Sequence, residues 1–446
     1  MKTPICDFVK NYSESKSMRL HMPGHKGERF LGMENMDITE IEGADSLYEA
    51  DGIIRQSEAN ASALFGCPTF FSAEGSSQCI RAMVYLAVMY ANGSGRKPII
   101  AAGRNAHKTF MSAVALTGAE VVWLYGENGG SYLSCDIQAD YLDKFLSDEK
   151  PVAVYLTSPD YLGNTSDIKS LAEVCHRHGA LLLVDNAHGA YLRFLSPSAH
   201  PIDLGADICC DSAHKTLPVL TGGAYLHISP RCDSMMTDTA KSALVMFGST
   251  SPSYLIMQSL DMANKYLETY REELSRFIPH VERFKSVLIN HGYTICGSEP
   301  LKVTISAKQY GYTGRQLADI LLEKNIVCEF SDPDFLVMMF TPQVTLESME
   351  KLADTMISIP KKQANLPLPP KYTAAKKAMD IRSAMFSPRE VKPIRDAVGR
   401  VLADANVGCP PAVPILVCGE TIDENAVNCF EYYGIERCAV VKTGLY

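Results

Sequence analysis

Ala180-Leu-Leu-Leu-Val-Asp-Asn-Ala-His-Gly189 and Ile208-Cys-Cys-Asp-Ser-Ala-His-Lys215 decide how this chain folds. Each opens on a short apolar run, the pattern of a strand buried on both faces of a parallel sheet. The first run ends on an acid, Asp185. The second is followed at once by Ser212, His214 and Lys215. Open sheets of this kind bind ligands at the carboxyl ends of their strands. An acid and a lysine so placed are what pyridoxal phosphate (PLP) chemistry needs. The lysine holds the cofactor as a Schiff base, and the acid keeps the pyridine nitrogen protonated so that the ring accepts electrons.

The flanking sequence alternates helix and strand. Helices are expected over 57–65, 78–90 and 168–178, the last closed by Gly179. Strands are expected over 69–72, 98–101, 120–124, 152–156 and 224–228. This predicts an α/β fold with a mainly parallel sheet flanked by helices. A long helix is expected from Met257 to about Leu288. It leads to strands at 302–305, 326–330 and 335–340 and helices at 313–324 and 346–357, an α+β unit. The expected division is an irregular N-terminal arm over 1–54, a large PLP-binding domain over 55–260, a small α+β domain over 261–360 and a C-terminal domain over 361–446. The last begins in the Pro- and Lys-rich linker 360–370.

A length of 446 residues calls for more than one domain. A net charge of −9 speaks against nucleic-acid binding, which favours a basic excess. The 14 cysteines are irregularly spaced without a C-x-x-C pair, which reads as reduced thiols. No run is long enough to span a membrane and no signal-peptide core is present, so a cytoplasmic protein is expected.

Glu74-Gly-Ser-Ser77 lies between a strand and a helix. It reads either as an ordinary helix cap or as a phosphate cradle built on Gly75, Ser76 and Ser77. His107, in Arg104-Asn-Ala-His107, is either a surface histidine or a ring stacked on a cofactor. His188 and His214 fall near the proposed ring and could move a proton. No carboxylate or cysteine completes a ligand set with these histidines at usual spacing, so no metal is expected.

Together these segments resemble the Orn/Lys/Arg decarboxylase family, bacterial PLP-dependent enzymes of the aspartate aminotransferase-like fold (fold type I). His21-Met-Pro-Gly-His-Lys-Gly27, Gly43-Ala-Asp-Ser-Leu47, 71–77, 104–108, 185–189, Ser212-Ala-His-Lys-Thr-Leu-Pro218, Thr250-Ser-Pro-Ser-Tyr254, Ser387-Pro-Arg-Glu390 and 410–414 all match its blocks. The resemblance covers nearly the whole chain, in the short form without an N-terminal wing domain.

It implies that Lys215 is the Schiff-base lysine, that Asp185 pairs with the pyridinium nitrogen and that His107 stacks on the ring. Ser76, Ser77, Ala187, His188, Ser212 and His214 would surround the cofactor. Ser249 would reach the phosphate of a neighbouring subunit, because family members form dimers with shared sites. Glu329 would meet the distal cation of the substrate. The implied activity is α-decarboxylation of arginine, lysine or ornithine in polyamine biosynthesis. Glu74, Asn186 and Gly222-Gly223 depart from the family pattern. They leave open a decarboxylase or aminotransferase for another amino acid, or a non-catalytic PLP-binding homologue.

Overall fold

The computed structural model describes residues 1–126, 132–371, 373–405, 408–409 and 413–442. Seven strands form its main sheet: β1 (Thr69–Ser72), β2 (Ile99–Gly103), β3 (Glu120–Leu124), β4 (Ala153–Thr157), β5 (Leu181–Asp185), β6 (Ile208–Asp211) and β7 (Ala224–Ile228). Their order is β1-β7-β6-β5-β4-β2-β3. Pairs β2–β3 and β5–β6 are parallel, whereas β7 runs antiparallel to both neighbours, β1 and β6. The expected α/β architecture is present, with β7 the strand that reverses. Strands β6 and β7 are buried along their whole length and β5 along all but its first residue, as their mainly apolar runs require.

The chain divides into two compact units that interleave in sequence. One comprises 1–97, 152–154 and 168–273, the other 98–151, 155–167 and 274–446. In the first, the arm is not irregular throughout: Pro4–Glu14 is helical. Its free N–H groups are satisfied at a distance, by Asp261, whose Oδ2 accepts from Ile5 N and Cys6 N at 3.0 Å. Asp45 does the same for the helix Ile53–Phe65, accepting from Gly52 N at 2.8 Å and Ile54 N at 3.0 Å. The helix Ile168–Arg177 buries Ile168, Leu171, Ala172, Val174 and Cys175, one stripe at helical spacing. The helix Tyr254–Asn290 carries Pro279 in its interior.

The second unit has its own sheet of β8 (Ile295–Cys296), β9 (Lys302–Ser306), β10 (Phe330–Ser331) and β11 (Phe335–Met339), in the order β10-β11-β9-β8. Thr313 and Gln316 form a reciprocal capping box for the helix Gly314–Leu322. The strand expected over 326–330 shrinks to Phe330–Ser331, so Glu329 stands just ahead of β10. A backbone bond from Glu329 N to Val337 O, 3.1 Å, still ties it to the ladder. A separate apolar cluster, including Leu162, Phe330, Ile394, Leu402, Ile422 and Phe430, forms the core of this unit. Pro410, Pro411 and Ala412 lie outside the described residues.

Candidate active site

Strand β5 ends on Asp185, 2% exposed. Its Oδ1 accepts from Ala187 N at 3.2 Å and from the Cys210 thiol at 3.7 Å, which fixes the carboxylate at the strand end. Strand β6 delivers Ser212 as N-cap of the single helical turn Ala213–Thr216, on which His214 and Lys215 sit. Lys215 Nζ lies 3.2 Å from His188 Nε2. His214 Nδ1–H donates to Gly223 O at 3.0 Å, leaving Nε2 as the acceptor nitrogen.

The helix Gly75–Gly93 starts next to this turn. Its N-cap, Glu74, makes no side-chain cap. Ser212 Oγ donates to Ser76 Oγ at 2.7 Å, and Gly75 N donates to Gly222 O at 2.6 Å. The departure at Gly222-Gly223 has a steric cause. A Cβ on Gly222, at φ +103°, would lie 3.0 Å from Ala73 O, and one on Gly223 would lie 2.3 Å from Val219 Cγ1. Close approach to the loop at Ala73 therefore demands glycine at 222, and Gly223 makes room for Val219 within its own turn. Glu74 accepts a hydrogen bond from Ser249 N, so the structure brings Ser249 to this loop through its backbone.

Asn186 is fully buried. Its Nδ2 donates to Asp211 Oδ1 at 2.7 Å, while its own Oδ1 has no hydrogen-bond partner among the described residues. Gly189 faces it: a Cβ there would lie 1.9 Å from Asn186 Oδ1. Asp211 also meets His200 Nε2 at 3.2 Å and His227 Nε2 at 3.1 Å through Oδ2. These contacts of the two imidazoles outweigh the cost of burying the Asp211 carboxyl and hold it far below the usual carboxylate range. Sequence reading missed this group. Its signal was weak: a histidine inside the apolar run Ala224-Tyr-Leu-His-Ile228, and Cys209 and Asp211 two apart on β6.

Gly75, Ser76, Ser77, Asp185, Ala187, His188, Ser212, His214, Lys215 and Ser249 all belong to the first unit. His107 and Glu329 belong to the second. His107 caps the helix Lys108–Thr117: its Nδ1 accepts from Thr109 N at 3.2 Å and lies 2.9 Å from Thr109 Oγ1, which holds the ring still. Glu329 Oε1 accepts from Tyr161 OH at 3.1 Å. Burial first, and the Glu329 charge next, push the Tyr161 phenol well above its ordinary value, so it stays a donor.

A family model described as "Orn/Lys/Arg decarboxylase, major domain" matches residues 3–306. An arginine decarboxylase of Bacillus subtilis (strain 168) is 31% identical, over 96% of this chain and 92% of its own. One from Halalkalibacterium halodurans is 29% identical, over 95% and 92%. Among solved structures, a lysine decarboxylase of Francisella novicida superposes with a TM-score of 0.80 at 15% identity, covering 99% of this chain and 81% of its own. A NifS-like protein superposes at 0.55 and 16%, covering 70% and 90%. The chain therefore belongs to the Orn/Lys/Arg decarboxylase family, PLP-dependent enzymes of fold type I.

Proposed function

We propose that this chain removes the α-carboxylate of a basic amino acid, with arginine the preferred substrate, and that Lys215 carries the cofactor. The observation that supports this most is the convergence of Lys215, His188, Ser212 and Ser76 beside an uncapped helix start, with the buried carboxylate of Asp185 at the end of the neighbouring strand. The residues fit PLP. The helix start at Gly75 offers open space, since a Cβ there would meet nothing within 4 Å, and helix starts attract anions. Ser76 and Ser212 supply hydroxyls for the phosphate. Asp185 supplies the anion for a protonated ring nitrogen.

When bound, PLP supplies an electron sink for the pair released as CO2 departs. The chain supplies the protons and their control. Lys215 Nζ and His188 Nε2, 3.2 Å apart, can exchange one proton, so the lysine can be presented as a neutral nucleophile. His214, with Nδ1 committed to Gly223, keeps Nε2 as a base or, once protonated, as an acid toward the substrate Cα. For His107 as the stacking ring and Glu329 as the partner of the distal cation, the assignment rests on the family resemblance. Arginine is preferred because several relatives that align over nearly the whole chain are named for it. A planar guanidinium also matches a carboxylate bidentately.

The reading includes a homodimer in the cytoplasm that serves polyamine synthesis. Two facts support it. Met18, Leu20, Met22, Phe30 and Leu31 on the arm are 68–87% exposed, a patch that a second copy would cover. Thirteen of the cysteines, from Cys6 to Cys438, are free, which suits a reducing compartment. No helix among the described residues is long and apolar enough to cross a membrane.

The test is CO2 release from purified enzyme on a panel of amino acids, combined with borohydride reduction and peptide mapping. Arginine should turn over fastest, the label should sit on Lys215, and Lys215→Ala should lose both. Activity confined to neutral or acidic amino acids would overturn the substrate class. A label on another lysine would overturn the site.

A further inference from the structure

Beneath the site lies a second cluster that the decarboxylation chemistry does not use. On β6, residues two apart share a face, so Cys209 and Asp211 point the same way. Antiparallel pairing sets His227 of β7 opposite Cys209. His200, at the N-cap of the short helix Pro201–Leu204, joins them. One ligand atom from each of the four lies within 4.8 Å of all the others, and all four side chains are 0% exposed. We propose that His200, Cys209, Asp211 and His227 hold a structural zinc ion.

Three observations carry this. The first is spacing. His200 Nε2 and His227 Nε2 lie 3.2 and 3.1 Å from Asp211 Oδ2, and Cys209 Sγ lies 3.7 Å from His200 Nε2. Zinc bonds of about 2.0–2.3 Å give tetrahedral edges of about 3.3–3.6 Å, close to these separations. The second is charge. A thiolate and a carboxylate neutralise a divalent cation, so the closed site carries no net charge into a dry interior.

The third is the outer layer. Thr69 Oγ1 donates to Cys67 O at 3.0 Å and lies 2.9 Å from His227 Nδ1. This contact fixes the ring with its Nε2 3.1 Å from Asp211 Oδ2. Asn186 steadies the other Asp211 oxygen. The Phe65 ring, with its centroid 4.5 Å from that of His227 and 5.7 Å from that of His200, packs against both imidazoles. Four protein ligands leave no open position, so the ion would hold the end of β6, one residue before Ser212, rather than take part in the reaction.

The experiment uses holoenzyme from cells grown with added zinc, dialysed against metal-free buffer. Elemental analysis should give about one zinc per chain, and Cys209→Ser or His227→Gln should lower that content roughly ten-fold or more. Crystals of the unaltered protein should show an anomalous peak at the zinc edge among the four side chains. This arm stands even if the variants fold poorly. A metal-free, folded wild-type enzyme would overturn the proposal and leave protons as the bridges. So would an anomalous peak elsewhere, or zinc content unchanged in both variants.

Discussion

Asp185 has its Oδ1 fixed by a backbone N–H and a thiol, so a neutral amide can occupy the same place with little loss of shape. Asp185→Asn should leave cofactor content close to normal and lower kcat by orders of magnitude, because an amide cannot hold the ring proton. Near-normal turnover would make Asp185 a structural residue. Glu329 is exposed and positioned by Tyr161. Glu329→Gln should raise KM for arginine by about ten-fold or more, with PLP affinity unchanged, since a charge-assisted contact contributes about 1.5–3 kcal/mol. An unchanged KM would remove Glu329 from the substrate site. Lys215 and Asp185 were legible in the sequence because each ends or follows an apolar strand run. The contacts of Gly222 with Gly75 and of Asn186 with Asp211 were not, because both depend on pairings between distant segments that no local spacing encodes.

At the scale of elements, the turn between β10 and β11 carries a titratable load. Asp332 is 0% exposed, and its Oδ1 accepts from Asp334 N at 2.7 Å and Phe335 N at 2.6 Å. Burial, and then the nearby Asp334 charge, push the carboxyl up to about 6. A folded-state value above the unfolded one means that the folded protein binds this proton more tightly. The stabilisation is therefore complete below the unfolded value and is lost as pH rises through about 6. Asp332→Asn should cancel the loss: denaturant unfolding should find the variant gaining up to about 3 kcal/mol on its parent between pH 4 and pH 7.5. Parallel pH profiles would rule the residue out. Element types were mostly legible, since strands such as Leu181–Asp185 and helices such as Ile168–Arg177 carry their own period. Pro4–Glu14 was missed because its cap, Asp261, is remote in sequence. The 326–330 strand was overdrawn because its β-branched run is satisfied by the short pairing at Phe330–Ser331.

For the whole molecule, the exposed arm between Met18 and Met33 is the feature that calls for a partner. Replacing Leu20 and Phe30 together by Asp should shift sedimentation from dimer toward monomer, and activity should fall with it if neighbouring subunits complete each other's sites. A parent that already sediments as a monomer would end the dimer reading. The fold class was readable from the βαβ alternation. The interleaving of the two compact units was not, because a boundary defined by long-range contacts leaves no mark in local composition.

That interleaving bears on how the chain is made. Segments 98–151 and 155–167 are synthesised early, yet they belong to a compact unit whose remaining residues run from 274 to 446. On the ribosome their strands β2, β3 and β4 have partners in the main sheet as soon as β5 has emerged, but the rest of their unit is still to be made. Folding during translation can close the first unit once Glu273 has emerged, whereas the second is completed later. A stalled or truncated nascent chain would thus present Leu133 and Leu162, whose apolar cluster is completed by residues from Phe330 to Val440, to chaperones, and an abrupt stop anywhere in the last third would cost more than the residues it removes.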